Sequence, residues 1–137
     1  MKDATTELRI AYIALLADVG VPVYDTIAPY DPPKNYIILS NQNQSDESNK
    51  CTFVARHSMQ VTVYTYYPVG QGSSKLAEQI DEAIKQRILT TTAGRIPLTG
   101  YNCYRSRIDL SRGDTEFTKT NYIYKRITIF NHSIQEL

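Results

Sequence analysis

The sequence predicts an α+β fold: an antiparallel or mixed β-sheet with two helices packed on one face. Three observations carry this. Two stretches, 5–19 and 74–89, repeat apolar residues at helical spacing. Runs at 52–66, 101–110 and 122–131 alternate with the two-residue period of a strand. The helices are mixed with hairpin-like strand pairs rather than alternating strictly with single strands, which favours α+β over a doubly wound sheet. The element order reads α-β-β-β-α-β-β. No repeat or linker divides the chain, so its 137 residues read as one domain.

The first helix is predicted over 5–19, where Leu8, Tyr12, Leu15, Leu16 and Val19 form one apolar stripe. Asp3, Thr5 or Thr6 can cap its start. Gly20 is placed to end it, and Pro22 cannot continue it. A short strand follows at Val21–Asp25. Pro29, Pro32 and Pro33 make an extended connector. Tyr36–Leu39 is a short apolar strand. Residues 41–50 are wholly polar and predict a mobile hairpin loop, since such a segment has little apolar surface to bury.

The strongest strand signal is 52–66. Phe53, Ala55, His57, Met59, Val61 and Val63 form the inward set, with a bend expected near His57-Ser58. Pro68 to Gly72 ends it. Ser73 and Ser74 are placed to cap a second helix, 74–89. Its stripe is Leu76, Ile80, Ala83, Ile84, Arg87 and Ile88, with Glu78, Asp81, Glu82 and Lys85 mostly outward. Asp81 and Lys85 form an i,i+4 pair. The last two strands, 101–110 and 122–131, flank a turn expected at Ser111-Arg112-Gly113-Asp114.

Little in the chain suggests catalysis. Gly70 to Lys75 opens a helix after a strand, where phosphate loops occur, but neither the Walker spacing nor the dinucleotide fingerprint is met. A turn with a serine cap accounts for it. His57 and His132 are the only histidines, and neither has a second ligand at metal-pair spacing. His57 reads as a core or interface histidine. No G-x-S-x-G elbow is present. Cys51 and Cys103 lack a cue for thiolate activation and read as packing residues. Glu78, Asp81 and Glu82 read as a solvated helix face. Arg112-Gly113-Asp114 matches an adhesion tripeptide by three residues only, and a turn explains it. No enzyme, cofactor or metal is expected.

Charge limits the partners. Lys plus Arg total 15 against 14 for Asp plus Glu, a net charge of +1. Proteins that hold nucleic acid tightly carry a clear basic excess. A local strip remains open: Arg105, Arg107 and Arg112, with Lys119, Lys125 and Arg126 on the next arm. Cross-strand ion pairs to Asp109 and Glu116 are the preferred account of these charges. Single-stranded nucleic-acid binding on tyrosine-interleaved arginines is the alternative. No apolar run approaches membrane-span length, and the N-terminus does not read as a signal peptide, so cytosolic assembly is expected. Tyrosine is abundant, 11 residues against 3 Phe and no Trp. Its apolar ring with a polar tip suits half-buried sheet faces and subunit interfaces.

The layout resembles the small tail-completion and tail-terminator proteins of tailed bacteriophages. The resembling stretches are the helix carrying Tyr12 to Asp18, then Val21 to Asp25, the Pro-Tyr connector and Tyr36–Leu39. The strand Gln60–Tyr66 leads through Gly70 and Gly72 into the helix 75–89, and the strand Tyr124–Phe130 follows. This covers 5–131 and rests on element order and local pattern. Arg56-His57-Ser58 and the polar segment 41–50 depart from the compact pattern.

The resemblance implies a non-enzymatic virion protein at the head–tail junction, assembled in the host cytoplasm. Such a subunit forms a homo-oligomeric ring, expected to be a hexamer, between the tail tube protein and the head connector or stopper. DNA would pass through the lumen transiently. Asn43, Ser45, Asp46, Glu47, Tyr64 and Tyr66 are the candidate inter-subunit contacts. A head–tail connector ring of different symmetry is the alternative within the same setting.

Overall fold

The computed structural model describes residues 4–30, 33–46, 54–89 and 96–136. The elements are α1 (Thr5–Leu16), β1 (Val23–Asp25), β2 (Asn35–Asp46), β3 (Val54–Pro68), α2 (Lys75–Ile88), β4 (Tyr101–Phe117) and β5 (Asn121–Glu136). The predicted order is the observed one. The strands form one sheet in the order β1-β2-β3-β5-β4. β1 runs parallel to β2, and every other pairing is antiparallel. Both helices pack on the same face, so the sheet is mixed and covered on one side.

The core follows from the two periodicities. In α1, Leu8, Ala11, Tyr12 and Leu16 are buried, while Leu15 and Val19 are half-buried against them. In α2, Ala77, Ile80, Ile84 and Ile88 are buried. They meet Ile37 and Leu39 of β2, Met59, Val61 and Val63 of β3, and Phe130 and Ile134 of β5. The inward set of β3 is confirmed wherever it is described; Phe53 and Cys51 lie outside the described residues. α1 starts at Ala4 without a side-chain cap, and Asp3 lies outside the described residues. Ser74 occupies the N-cap of α2, but its side chain makes no capping bond. α1 ends at Leu16 with Ala17 as its C-cap, short of the expected 19, and Gly20, at φ +102°, turns the chain beyond that end rather than capping it. Gly72 has a different reason to be glycine: a Cβ there would land on the rings of Tyr67 and Tyr124.

Three expectations are corrected. First, residues 41–46 are not a loop but the second half of β2, paired with 55–58 of β3. A bulge between Ser40 and Asn43 resets the register there. Gln42, in that bulge, donates to the Thr5 carbonyl (2.8 Å) and accepts from Arg9 Nη2 (2.9 Å). Ladder bonds and this clamp order a segment too polar to order itself by burial. Residues 47–50 lie outside the described residues. Second, Ser111 to Asp114 is strand, since the β4–β5 ladder continues to Phe117. The reversal falls at Thr118–Asn121, where the Thr118 hydroxyl accepts from Asn121 N (2.9 Å). Third, β3 is not broken near His57-Ser58: its ladder with β5 runs in register from Val54 to Pro68.

The core makes a direct prediction. Phe130 is fully buried beneath the helices, so Phe130→Ala should cost about 3–5 kcal/mol in urea unfolding. Ile10 of α1 is 54% exposed, and Ile10→Ala should change stability by less than about 0.5 kcal/mol. Equal effects would contradict this placement of the core.

Candidate functional site

The helix-covered face contains the buried polar groups. Tyr12 of α1 hydrogen-bonds His132 Nε2 of β5. His132 Nδ1 meets Ser106 Oγ of β4 at 2.7 Å, and Cys103 Sγ lies 3.9 Å from the same nitrogen. Burial, reinforced by neighbouring His57, pushes His132 down to about 3. Burial likewise holds the Tyr12 phenol well above its ordinary value. Both groups are neutral at physiological pH. They are sealed from solvent, as is Cys103. A thiol beside an imidazole is a nucleophile pair only with access to substrate. Here the pair packs and hydrogen-bonds.

A second buried cluster sits four residues earlier on β5. Asp81 was expected on a solvated helix face; it is 2% exposed and points into the sheet. Thr128 Oγ1 donates to Asp81 Oδ1 at 2.7 Å. Lys85 Nζ lies 2.8 Å from Asp81 Oδ2, and Arg126 Nε lies 3.5 Å from it. Lys85 and Arg126 also donate to Ser111 Oγ of β4 (2.8 and 3.1 Å). The carboxylate is thus held by two cations and a hydroxyl, as a buried charge must be. Glu78 and Glu82 are exposed as predicted. Among the described residues, no group of three or more His, Cys, Asp or Glu comes together to hold a metal ion. No helix is long and apolar enough to cross a membrane.

Among the described residues the opposite face of the sheet carries no helix, and its register divides it into two halves. At one end Tyr36 stacks on Tyr64 and Tyr66 (ring centroids 4.9 and 5.9 Å), with Tyr24 edge-on at 5.9 Å. The Tyr36 and Tyr66 hydroxyls are 3.0 Å apart. Burial and that bond raise the Tyr36 phenol. Lys125 Nζ sits 5.7 Å from the Tyr64 ring centre. At the other end two polar rows cross four strands. One runs Ser45, Arg56, Ser133, Arg105; the next runs Asn43, Ser58, Asn131, Arg107. A shallow depression of about 340 Å³ lies over the second row, between Asn43 and Arg107, with Asp109 at its rim.

The candidate residues fall on this face or its edges. Asn43 and Ser45 head the polar rows on β2, and Asp46 ends that strand. Tyr64 and Tyr66 belong to the tyrosine stack; Glu47 lies outside the described residues. Arg105 and Arg107 share one face of β4, as expected, and the bulge between Ile108 and Leu110 changes the phase so that Arg112, expected in a turn, joins the same face. The preferred ion pairing holds only for Lys125, which meets Glu116 at 3.3 Å. Arg105, Arg107 and Arg112 are exposed, with no ion pair among the described residues. Arg56, which joins them from β3, was missed as a site residue. Its position in the outward phase of that strand was the available signal.

The sheet has two open edges among the described residues. β1 covers β2 only at Ile37–Leu39, which leaves 40–46 without an outer neighbour. β4 is terminal along its whole length.

Comparison with known proteins adds the fold relationship. The chain superposes on a chain from a structure titled "Virion of native gene transfer agent (GTA) particle", with TM-score 0.66 and 16% identity. The match covers 95% of this chain and 90% of that one. The two share a fold. A second solved chain aligns over 94% of this one at 16% identity, but its TM-score of 0.43 supports no argument. No family model matches the chain. No curated protein matches it.

Two predictions follow from the buried clusters. Asp81→Ala strips the counter-ion from Lys85 and Arg126 and should cost about 3 kcal/mol. Asp18, 80% exposed in its pair with Arg87, should tolerate the same change with little loss of stability. His132 stays neutral in the folded chain to about pH 3. Unfolded, it takes a proton near pH 6.5. Between those values the unfolded chain binds more protons, so stability is full above about pH 6.5 and falls toward pH 3. Urea unfolding of His132→Gln should show a flatter acid limb than wild type. An unchanged limb would contradict the assignment.

Proposed function

We propose that this chain is a non-enzymatic structural subunit of a phage-type virion. In this reading it closes into a ring at the head–tail junction, terminates or completes the tail, and joins it to the head connector. The carrying observation is the near full-length fold match to a chain of a gene transfer agent virion. The surface supports the reading. The polar groups on the helix face are committed to packing, whereas the helix-free face and both sheet edges lie open.

A head-to-tail contact that closes under rotation makes a ring from one kind of subunit. The open edge of β2 supplies one half of such a contact, with Asn43, Ser45 and Asp46 on it and Tyr64 and Tyr66 on the adjoining face. A hexamer is the expected state, with the tail tube protein on one side and the connector or stopper on the other. A net charge of +1 suits DNA passing through a lumen better than DNA held there. A connector ring of different symmetry uses the same surfaces. The unpaired Arg105, Arg107 and Arg112 favour single-stranded nucleic-acid binding as the second reading.

Negative-stain electron microscopy with mass measurement over a wide concentration range tests this. Closed rings are expected, six-fold for a tail terminator. A chain that stays monomeric alone and with tail tubes or connectors would refute the ring. Steeply salt-dependent binding to single-stranded DNA, lost in Arg105→Ala/Arg107→Ala, would favour the second reading.

A further inference from the structure

β4 is an unusual strand to leave at the edge of a sheet. It is 17 residues long and carries neither proline nor lysine, two common guards of an exposed edge. Tyr104, Ile108, Leu110 and Phe117 along it are 38–62% exposed. Both helices pack mainly over β2, β3 and β5, and among the described residues no helix lies along this edge. A long, partly apolar row of unpaired amides and carbonyls is a template for another strand.

The charges along β4 select the partner. On the helix-free face they read Arg105 and Arg107 at one end, Arg112 near the middle, then Asp114 and Glu116 at the other. An antiparallel copy of the same strand reverses that order. With Ser111 on the two-fold axis, Leu110 lies opposite Arg112 of the second copy. The bulge between Ile108 and Leu110 then lies opposite Gly113, the one residue in the strand with no side chain to obstruct it. The extra residue in the bulge shifts the pairing by one. Beyond it, Arg107 falls opposite Asp114 and Arg105 opposite Glu116, all on one face. The symmetry gives every pair twice.

We propose that β4 pairs with β4 of a second copy of this chain, antiparallel and about a two-fold axis through Ser111, joining two sheets into one. The contact is isologous. It lies at the opposite edge of the sheet from the β2 surface assigned to the ring, and it stands or falls independently of that reading. Arg105 and Arg107, which have no ion pair among the described residues, gain carboxylates, and Glu116 serves Lys125 and the second copy's Arg105 together. Opposite charges directly across an antiparallel pair stabilise it, and like charges destabilise it.

Sedimentation equilibrium of the full chain, from low to high micromolar, tests this with two variants. Wild type should associate in pairs through this contact, as dimers of single chains or, where the ring also closes, as paired rings. Arg107→Asp places like charges opposite each other twice and should weaken the dimer by about tenfold or more. Arg107→Asp/Asp114→Arg reverses both members of the pair and should restore it. Unchanged thermal unfolding of the variants at dilution separates loss of pairing from loss of fold. A strictly monomeric wild type overturns the proposal. So does association, as dimers or closed rings, that ignores Arg107→Asp, and rings of that kind would leave the ring reading standing. Failure of the double variant to restore the dimer overturns the register and with it the proposal. A variant that releases nucleic acid but keeps its self-association makes β4 a phosphate-binding strand instead.

Discussion

Two side chains on β5 hold the fold in its one-sided form. Thr128 and His132 are four residues apart on the face toward the helices, both fully buried. Each takes one helix and one strand. Thr128 bonds Asp81 of α2 and lies 3.2 Å from Ser111 of β4. His132 bonds Tyr12 of α1 and Ser106 of β4. A buried polar group without its partner costs about 1–3 kcal/mol, more when charged. Apolar stripes alone would let a helix slide or rotate on the sheet. These contacts make most such shifts leave a hydroxyl, an imidazole or a carboxylate stranded.

The rest of the molecule follows from that constraint. With both helices on one face, the other has to be made tolerable to water. It manages this with its own side chains: four tyrosines stack at one end, and arginines, amides and hydroxyls fill the other. Of its larger side chains Tyr36 is buried, packed against Tyr24, Tyr64 and Tyr66 of the same sheet. The serine ends of both clusters reach β4, which has few other buried contacts. The outermost strand is therefore held inward by hydroxyls while its outer edge stays open. Among the described residues, the helix-free face and the two sheet edges are what the fold leaves open.

Much of the fold was legible as periodicity, because burial writes itself into the sequence wherever one face of an element is apolar. Leu8, Tyr12 and Leu16 betray α1, and Met59, Val61 and Val63 betray β3. What periodicity missed was order supplied by other elements. The 41–46 segment has no apolar pattern, and its order comes from the β3 ladder and from Gln42 reaching Thr5 and Arg9. Asp81 stands among Glu78, Glu82 and Lys85 and looks like any solvated carboxylate; its partner Thr128 is 47 residues away. Ser111 to Asp114 has the composition of a turn, but a ladder partner lets such residues remain extended, and Thr118–Asn121 makes the reversal. The candidate surface was half legible. Arg105 and Arg107 followed from strand phase, whereas Arg112 reaches their face only through the bulge between Ile108 and Leu110, and joining them to Arg56 required the strand order β3-β5-β4.

Native-state amide exchange on the dilute chain tests the central claim, that β5 fastens both helices to one face, most directly. The account predicts that α1, α2 and the middle of β5 exchange only through global unfolding, with one shared opening free energy. The outer amides of β4 and those at 40–46 of β2 should exchange through smaller openings. If α1 or α2 opens separately while β5 stays protected, the two anchors do not hold the fold together, and the account is wrong.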